Sequence, residues 1–397
     1  MGPGRPEFHP RKPRPGLEQY LEEAGRGTLK MLGGAQHVDE CVIGNFMAAR
    51  FNKQANLPGF FPMIDAGLRY KPAVAVEGAC ASGGVAVMAG IRSVLAETAD
   101  IALVIGFEVQ NTVKSLYGAD ILAGAGWYPK RREGHAYFFP GQFSRRAGVY
   151  FEKFGRDRTR HGFARWYRNA IENARLCPTA QEFHNKVQDL EALALTEPNP
   201  DAFTDHLNFF DCSKVSDGAC SLAVLSEDGL KKAGIPMSQV VEIAGWAQVE
   251  DDITQEPKNP ARLTTMEVAI KQALYSASIT TDDLATVETH DCFTIAGIQS
   301  VEALGLAPHG QGADYVAEGH TARDGIIPFN TTGGLIGWGH PTGATGVHQA
   351  VTIWEQLTGN AGDAQINIDS SRPYGLSINM GGDDKTLVAV VYKKPDA

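Results

Sequence analysis

Cysteine is scarce in this 397-residue chain: six in all, at Cys41, Cys80, Cys177, Cys212, Cys220 and Cys292. That density is too low for a disulfide scaffold, and no two stand in a CxxC pair, which excludes a zinc ribbon and a thioredoxin-like site. Free thiols in a reducing compartment are expected. Positive charge is also in deficit, with 36 Lys and Arg against 46 Asp and Glu and a net charge of -10. That balance argues against nucleic acid or an anionic membrane surface as the main partner. No apolar run reaches the roughly 18 residues that a membrane-spanning helix needs. The basic, proline-rich start MGPGRPEFHPRKPRPG is followed by no hydrophobic segment, so it reads as no secretory signal, and its prolines spoil an amphipathic presequence. The end, YKKPDA, is no peroxisomal address, so a cytoplasmic location is expected.

What is present is ordinary globular material, 43% hydrophobic and 21% charged. The length suits two domains or one large duplicated α/β unit. LEQYLEEAGRGTLKML places Leu17, Tyr20, Leu21, Ala24 and Leu29 near one helix face. HVDECVIGNF and AVAV (73–76) read as strands, the second buried, and Val85, Met88, Ile91 and Leu95 mark the helix after it. IALVIG (101–106) is uniformly apolar, like strands of parallel sheets covered on both faces. From about 108 to 212 strands vanish, and HAYFFPGQFSRRAGVYFEKFGRDRTRHGF shows no sustained period. That stretch reads as an inserted loop subdomain with some helix around GFARWYRNAIENARL. SLAVLS then closes a first half, residues 1–235.

The second half, 236–397, has the same grammar. VVEIAGWAQV reads as a strand, Thr264 and Glu267 as a capping box for the helix TMEVAIKQALYSA, and LATVETH as a strand leading into DCF. VHQAVTIWEQL is helical, and GLSINMGGDDKTLVAVVYKK is two strands around a glycine turn. The pattern is one α/β unit used twice.

Four chemically capable side chains sit at strand-to-helix turns. Cys80, in VEGACASGG, stands where helix N–H groups lower a thiol pKa, although a free cysteine is as often a small buried hydrophobe. His340, in GWGHPTGATG, is presented before a helix, where a neutral imidazole takes a thiol proton; the bland reading is a surface histidine in a glycine-punctuated turn. That loop lacks the Walker lysine, so it is no phosphate loop. In HDCF, His290 and Cys292 share one side if the preceding strand continues, with Asp291 opposite. Two such candidates do not make a metal site, and no metal is expected.

VEGACASGG, HDCF and GHPTGATG, in this order and at these separations, resemble the thiolases, and HDCF is similar to the sterol-carrier-protein-type branch. The resemblance spans nearly the whole chain. It implies the thiolase fold, two α/β halves in a layered αβαβα core, and acyl transfer on coenzyme A thioesters, with coenzyme A as substrate and no other cofactor. It implies Cys80 as acyl-accepting nucleophile and His340 as its activator and an oxyanion-hole donor. His290 would bind the thioester oxygen of the second substrate, Cys292 would be the acid/base, and Gly381 would join the Cys80 backbone in a second oxyanion hole. A homodimer or tetramer is implied too. Two rival readings remain: a thiolase-like acyltransferase or retro-aldolase needing a small OB-fold partner protein, or a non-catalytic binder of CoA esters. Many thiolases carry a C-terminal Cys-x-Gly where this chain has Asn379-Met380-Gly381, which leaves the acid/base role to Cys292. The family's usual first strand has no counterpart in the proline-rich start. Arg145, Arg146, Arg156, Arg158 and Arg160 are candidates for nucleotide phosphates, or simply an arginine-rich helix surface.

Overall fold

The computed structural model describes residues 15–132 and 135–395; the reading of the proline-rich start falls on residues outside these. Two four-stranded sheets form the frame. The first has β1 (Glu40–Gly44), β2 (Ala73–Val76), β3 (Ile101–Glu108) and β4 (Gly218–Leu225) in the order β2-β1-β3-β4. The second has β5 (Glu242–Glu250), β6 (Leu284–Glu288), β7 (Tyr374–Gly381) and β8 (Thr386–Lys393) in the order β5-β8-β7-β6. β1 runs parallel to β3, which pairs antiparallel with β4. In the same way β6 runs parallel to β7, which pairs antiparallel with β8. The duplicated unit is therefore real.

The repeat is imperfect. β5 flanks β8, but among the described residues no strand flanks β4 on its outer side. An apolar groove of about 600 Å³ lies there, lined by Val87, Ile91, Leu222, Val224, Ile243 and Trp246 among others.

Helices complete five layers. Helix Leu17–Met31 covers β3 and β4 from outside, and Thr264–Ala277 covers β5 and β8. Between the sheets lie Ser82–Leu95 and Thr345–Thr358, packed on each other. They cross where no side chain fits: a Cβ on Gly346 would stand 2.2 Å from the Gly84 nitrogen, and one on Gly83 2.7 Å from the Gly346 nitrogen. Small residues are required for that approach. Both N-termini are thereby brought to one end of the core. Among the described residues no helix is long and apolar enough to cross a membrane.

Three expectations need correction. β2 is a strand but not a buried one: it is the edge of its sheet, and Val74 is 40% exposed. Thr264 and Glu267 form no capping box. The helix is capped instead by Asp384, which accepts from Thr265 and Met266 N–H at 2.9 and 3.0 Å, while Glu267 pairs with Arg262. The stretch without apparent period holds a 17-residue helix, Phe138–Phe154, followed by Arg156–Ala174. Phe143, Ala147, Tyr150 and Phe151 do lie on one face, but their spacing is obscured by Arg146, which is itself buried. Both helices share one hydrophobic cluster with Leu263, Met266, Ile295 and Leu376 of the second half, so the insertion is built into a core.

Candidate active site

Cys80 lies on a one-turn 3-10 helix, Ala79–Ala81, between β2 and helix Ser82–Leu95. Ala79 before it holds φ at +53°, a left-handed conformation that costs a non-glycine residue energy. Ser82 fixes this elbow, accepting from Gly78 N–H at 3.0 Å and donating to the Ala79 carbonyl at 2.6 Å. His290 stands two residues past β6, and His340 five residues before helix Thr345–Thr358. Cys80 and the two histidines each bring one donor atom within 4.8 Å of the others. The imidazoles meet edge to face with centroids 5.0 Å apart.

Buried polar groups hold the two histidine loops. Asp291 accepts from Trp166 Nε1 at 3.0 Å and Leu335 N–H at 2.7 Å. β6 has ended at Glu288, so strand alternation does not set these directions; Asp291 turns to its own anchors and leaves His290 facing His340. Glu108, at the end of β3, accepts from Phe46 and Met47 N–H, from the Thr342 hydroxyl and from Gly343 N–H. The Gln110 side chain donates to the His340 carbonyl at 2.6 Å, and His340 N–H donates to Ser216 Oγ at 3.0 Å.

Electrostatics keep the cluster neutral. Burial, with Glu108 adding to it, pushes the Cys80 thiol up to about 12. This reverses the lowered value expected from the helix N-terminus, because removal from water outweighs backbone N–H groups. Hydrogen bonds from the backbone N–H of Gly382 and of Cys80 itself offset only part of the shift. Burial lowers His340 to about 3, and burial plus His340 lowers His290 well below its ordinary value. His340 Nδ1 lies 2.7 Å from Thr345 Oγ1, whose hydroxyl donates to the Pro341 carbonyl at 3.2 Å. Nδ1 then carries the ring proton, leaving a lone pair on Nε2, a buried atom with no hydrogen-bond partner. A thiol beside such a lone pair can lose its proton on attack.

Cys292 follows in the HDCF loop, buried, its thiol raised by burial and then by Cys80, Asp291, Asp383 and Cys212. Gly381 packs against the nucleophile turn, where a Cβ would come within 2.3 Å of the Gly78 carbonyl; the N–H that bonds the Cys80 sulfur belongs to the next residue, Gly382. The five arginines are all engaged with carboxylates: Arg145 with Glu256, Arg146 with Asp383, Arg156 with Glu197, Arg158 with Asp314 and Arg160 with Asp211. Arg146 and Arg160 are buried, so they are not a helix surface.

Sequence reasoning passed over Asn379 as a functional residue. Its side chain accepts from Gly84 N–H at 2.9 Å and donates to the Cys80 carbonyl at 3.2 Å and to His290 Nδ1 at 3.1 Å. The available signal was an asparagine inside the largely apolar strand LSINMG, next to the glycine turn. The possible metal set is also not the one weighed from sequence: Cys80, His290 and His340 converge, rather than His290 with Cys292. Three ligands and an open position match catalytic zinc in number, but the Asn379 contact leaves the His290 proton on Nε2, which opposes ligation by that nitrogen.

Known proteins share this arrangement of sequence and fold. Residues 18–135 match the family model described as thiolase, N-terminal domain, and residues 246–394 that described as thiolase C-terminal domain-like. An acetyl-CoA acetyltransferase of Methanothermobacter thermautotrophicus is 31% identical over 381 residues, 95% of this chain and 94% of the relative. Human sterol carrier protein 2 is 27% identical across 74% of this chain, which spans about half (54%) of that protein. Among solved structures, the Ltp2-ChsH2(DUF35) aldolase superposes with a TM-score of 0.79 at 20% identity, covering 99% of this chain and 96% of that one.

Proposed function

This chain belongs to the thiolase family, with sterol-carrier-protein-2 relatives, and as an acyltransferase of that family we propose that it works through an acyl-Cys80 intermediate. The observation that carries this reading is Cys80, a partly exposed residue, set within 4.8 Å of a His340 ring whose Nε2 has no hydrogen-bond partner. Cys80 Sγ attacks the thioester carbonyl of an acyl-CoA while its proton passes to His340 Nε2. The tetrahedral adduct collapses, expelling coenzyme A, which takes the proton of the Cys292 thiol and departs as a thiol. Cys292 is left as a thiolate and His340 as an imidazolium. A second molecule, acetyl-CoA, then loses an α-proton to the Cys292 thiolate. Its carbanion attacks the acyl carbon and displaces Cys80, which recovers its proton from His340. The thioester oxygen of that second substrate is met by His290. Thiolysis of a 3-oxoacyl-CoA is the same path reversed. Covalent catalysis divides the transfer into two steps, and fixed N–H donors stabilise each developing oxyanion.

Mass spectrometry after mixing with acetyl-CoA tests the reading. One acyl group per chain is expected at Cys80 and none in Cys80→Ala. Cys292→Ala should still acylate yet lose condensation by about 10²–10⁴-fold, the usual worth of general acid–base catalysis. An unmodified Cys80 under stoichiometric binding would instead favour a non-catalytic binder of CoA esters.

A second reading has one observation in its favour: the structural neighbour just described is an aldolase, named together with a DUF35 partner. A retro-aldol role with a small partner protein predicts low activity alone, co-purification of that partner, and carbon–carbon cleavage without acylation of Cys80.

A further inference from the structure

We propose that Asn379 is a positioning residue that fixes the tautomer of His290, so that this ring offers Nε2–H, and never a lone pair, to the reacting oxygen. The inference rests on the acyl-transfer reading for its consequence, but the tautomer itself follows from hydrogen bonding alone. The Asn379 amide has one acceptor oxygen and two N–H donors. Its orientation is set from two sides. Gly84 N–H can only donate, so Oδ1 faces it at 2.9 Å; the Cys80 carbonyl can only accept, so Nδ2 faces it at 3.2 Å. The remaining Nδ2 hydrogen points at His290 Nδ1, 3.1 Å away, and that nitrogen must accept. His290 is buried and neutral, so its single ring proton stands on Nε2.

The two imidazoles at the site therefore have opposite polarity. His340 has its proton tied to Thr345 and a lone pair free, while His290 has its lone pair tied to Asn379 and a proton free. One ring can take a proton and the other can stabilise an anion. Asn379 also joins the nucleophile turn to the His290 loop in one side chain, so the donor is held in register with the sulfur it serves.

The test is the position of the ring proton, read by ¹⁵N NMR of histidine-labelled protein with His290→Asn used to assign the signal. Wild type should show His290 protonated on Nε2. Asn379→Asp keeps the size and the acceptor for Gly84 but offers a carboxylate to Nδ1, and should move the proton there. Condensation should then fall by about 10²-fold or more, as when one oxyanion donor is lost, while Cys80 still acylates. Asn379→Ala, which leaves both tautomers accessible, should be less damaging than Asp. A purely structural tie gives the reverse order, because Asp retains the Gly84 bond. Wild-type His290 protonated on Nδ1, a tautomer unchanged in Asn379→Asp, or Ala worse than Asp would each overturn the proposal. Failure of the acyl-transfer reading would leave the NMR result standing, so the two failures are distinguishable.

Discussion

Cys80 and His340 face each other as a neutral thiol and a neutral imidazole, with preferred values near 12 and 3 respectively. Moving the proton between them in the free protein is uphill, and becomes favourable only as an attacked carbonyl forms a carbon–sulfur bond. Alkylation of Cys80 by iodoacetamide should therefore keep accelerating from pH 6 to beyond pH 9, followed by peptide mass spectrometry. A flat, fast rate from pH 5 upward would mean a standing thiolate–imidazolium pair. The same shift sets a stability limb. The folded state binds fewer protons at His340 than the unfolded chain between pH 6.5 and 3, so its contribution is complete above about pH 6.5 and is lost as pH falls toward 3. The motifs exposed the reactive atoms because each needs one residue type at one turn. Their protonation was not legible, since burial and Glu108, from a strand 28 residues later, reverse what the helix terminus alone would do.

The elements that carry these residues are positioned by contact rather than by their own sequence preferences. Gly84 and Gly346 let helices Ser82–Leu95 and Thr345–Thr358 touch backbone to backbone, one bearing Cys80 and the other following His340. Gly346→Ala should push them apart, since its Cβ would fall within 2.3 Å of backbone and of Asn379 Oδ1. Overpacking of this kind costs about 1–3 kcal/mol, so a lower Tm is expected together with a larger loss of acylation than of stability. Unchanged Tm and acylation would show that the crossing tolerates a methyl group. Strands and helices with clear period two or 3.6 were legible in the sequence. Helix Phe138–Phe154 was not, because a buried arginine interrupts its apolar face; its charge is met by Asp383, 237 residues away. The Asp384 cap failed for the same reason: the capping carboxylate comes from the far end of the chain.

At the scale of the whole molecule, the duplicated unit was readable because both halves repeat strand, helix and strand in order, while exposure depends on what lies beyond one chain. β2 is the edge strand nearest the nucleophile, with Val74 40% exposed, and Tyr70, three residues before the strand, is 99% exposed. An unprotected apolar edge of this kind invites pairing. A homodimer joined through this edge is the expected assembly, and light scattering at micromolar concentration should give twice 42.7 kDa. Val74→Lys should shift it toward monomer; a monomeric wild type would remove the basis for the pairing.

The unflanked side of β4 also has a consequence in time. β8 is held between β7 and β5, whereas β4 has a strand neighbour on one side only among the described residues. Regions with fewer partners open at lower free energy and form separate cooperative units. On transfer to deuterated water, β4 amides should exchange well before those of β8, although the two strands are equivalent in the repeat. Two halves built alike would thus have different lifetimes: the one that carries Cys80 loosens first, and the second half, closed around β5, outlasts it.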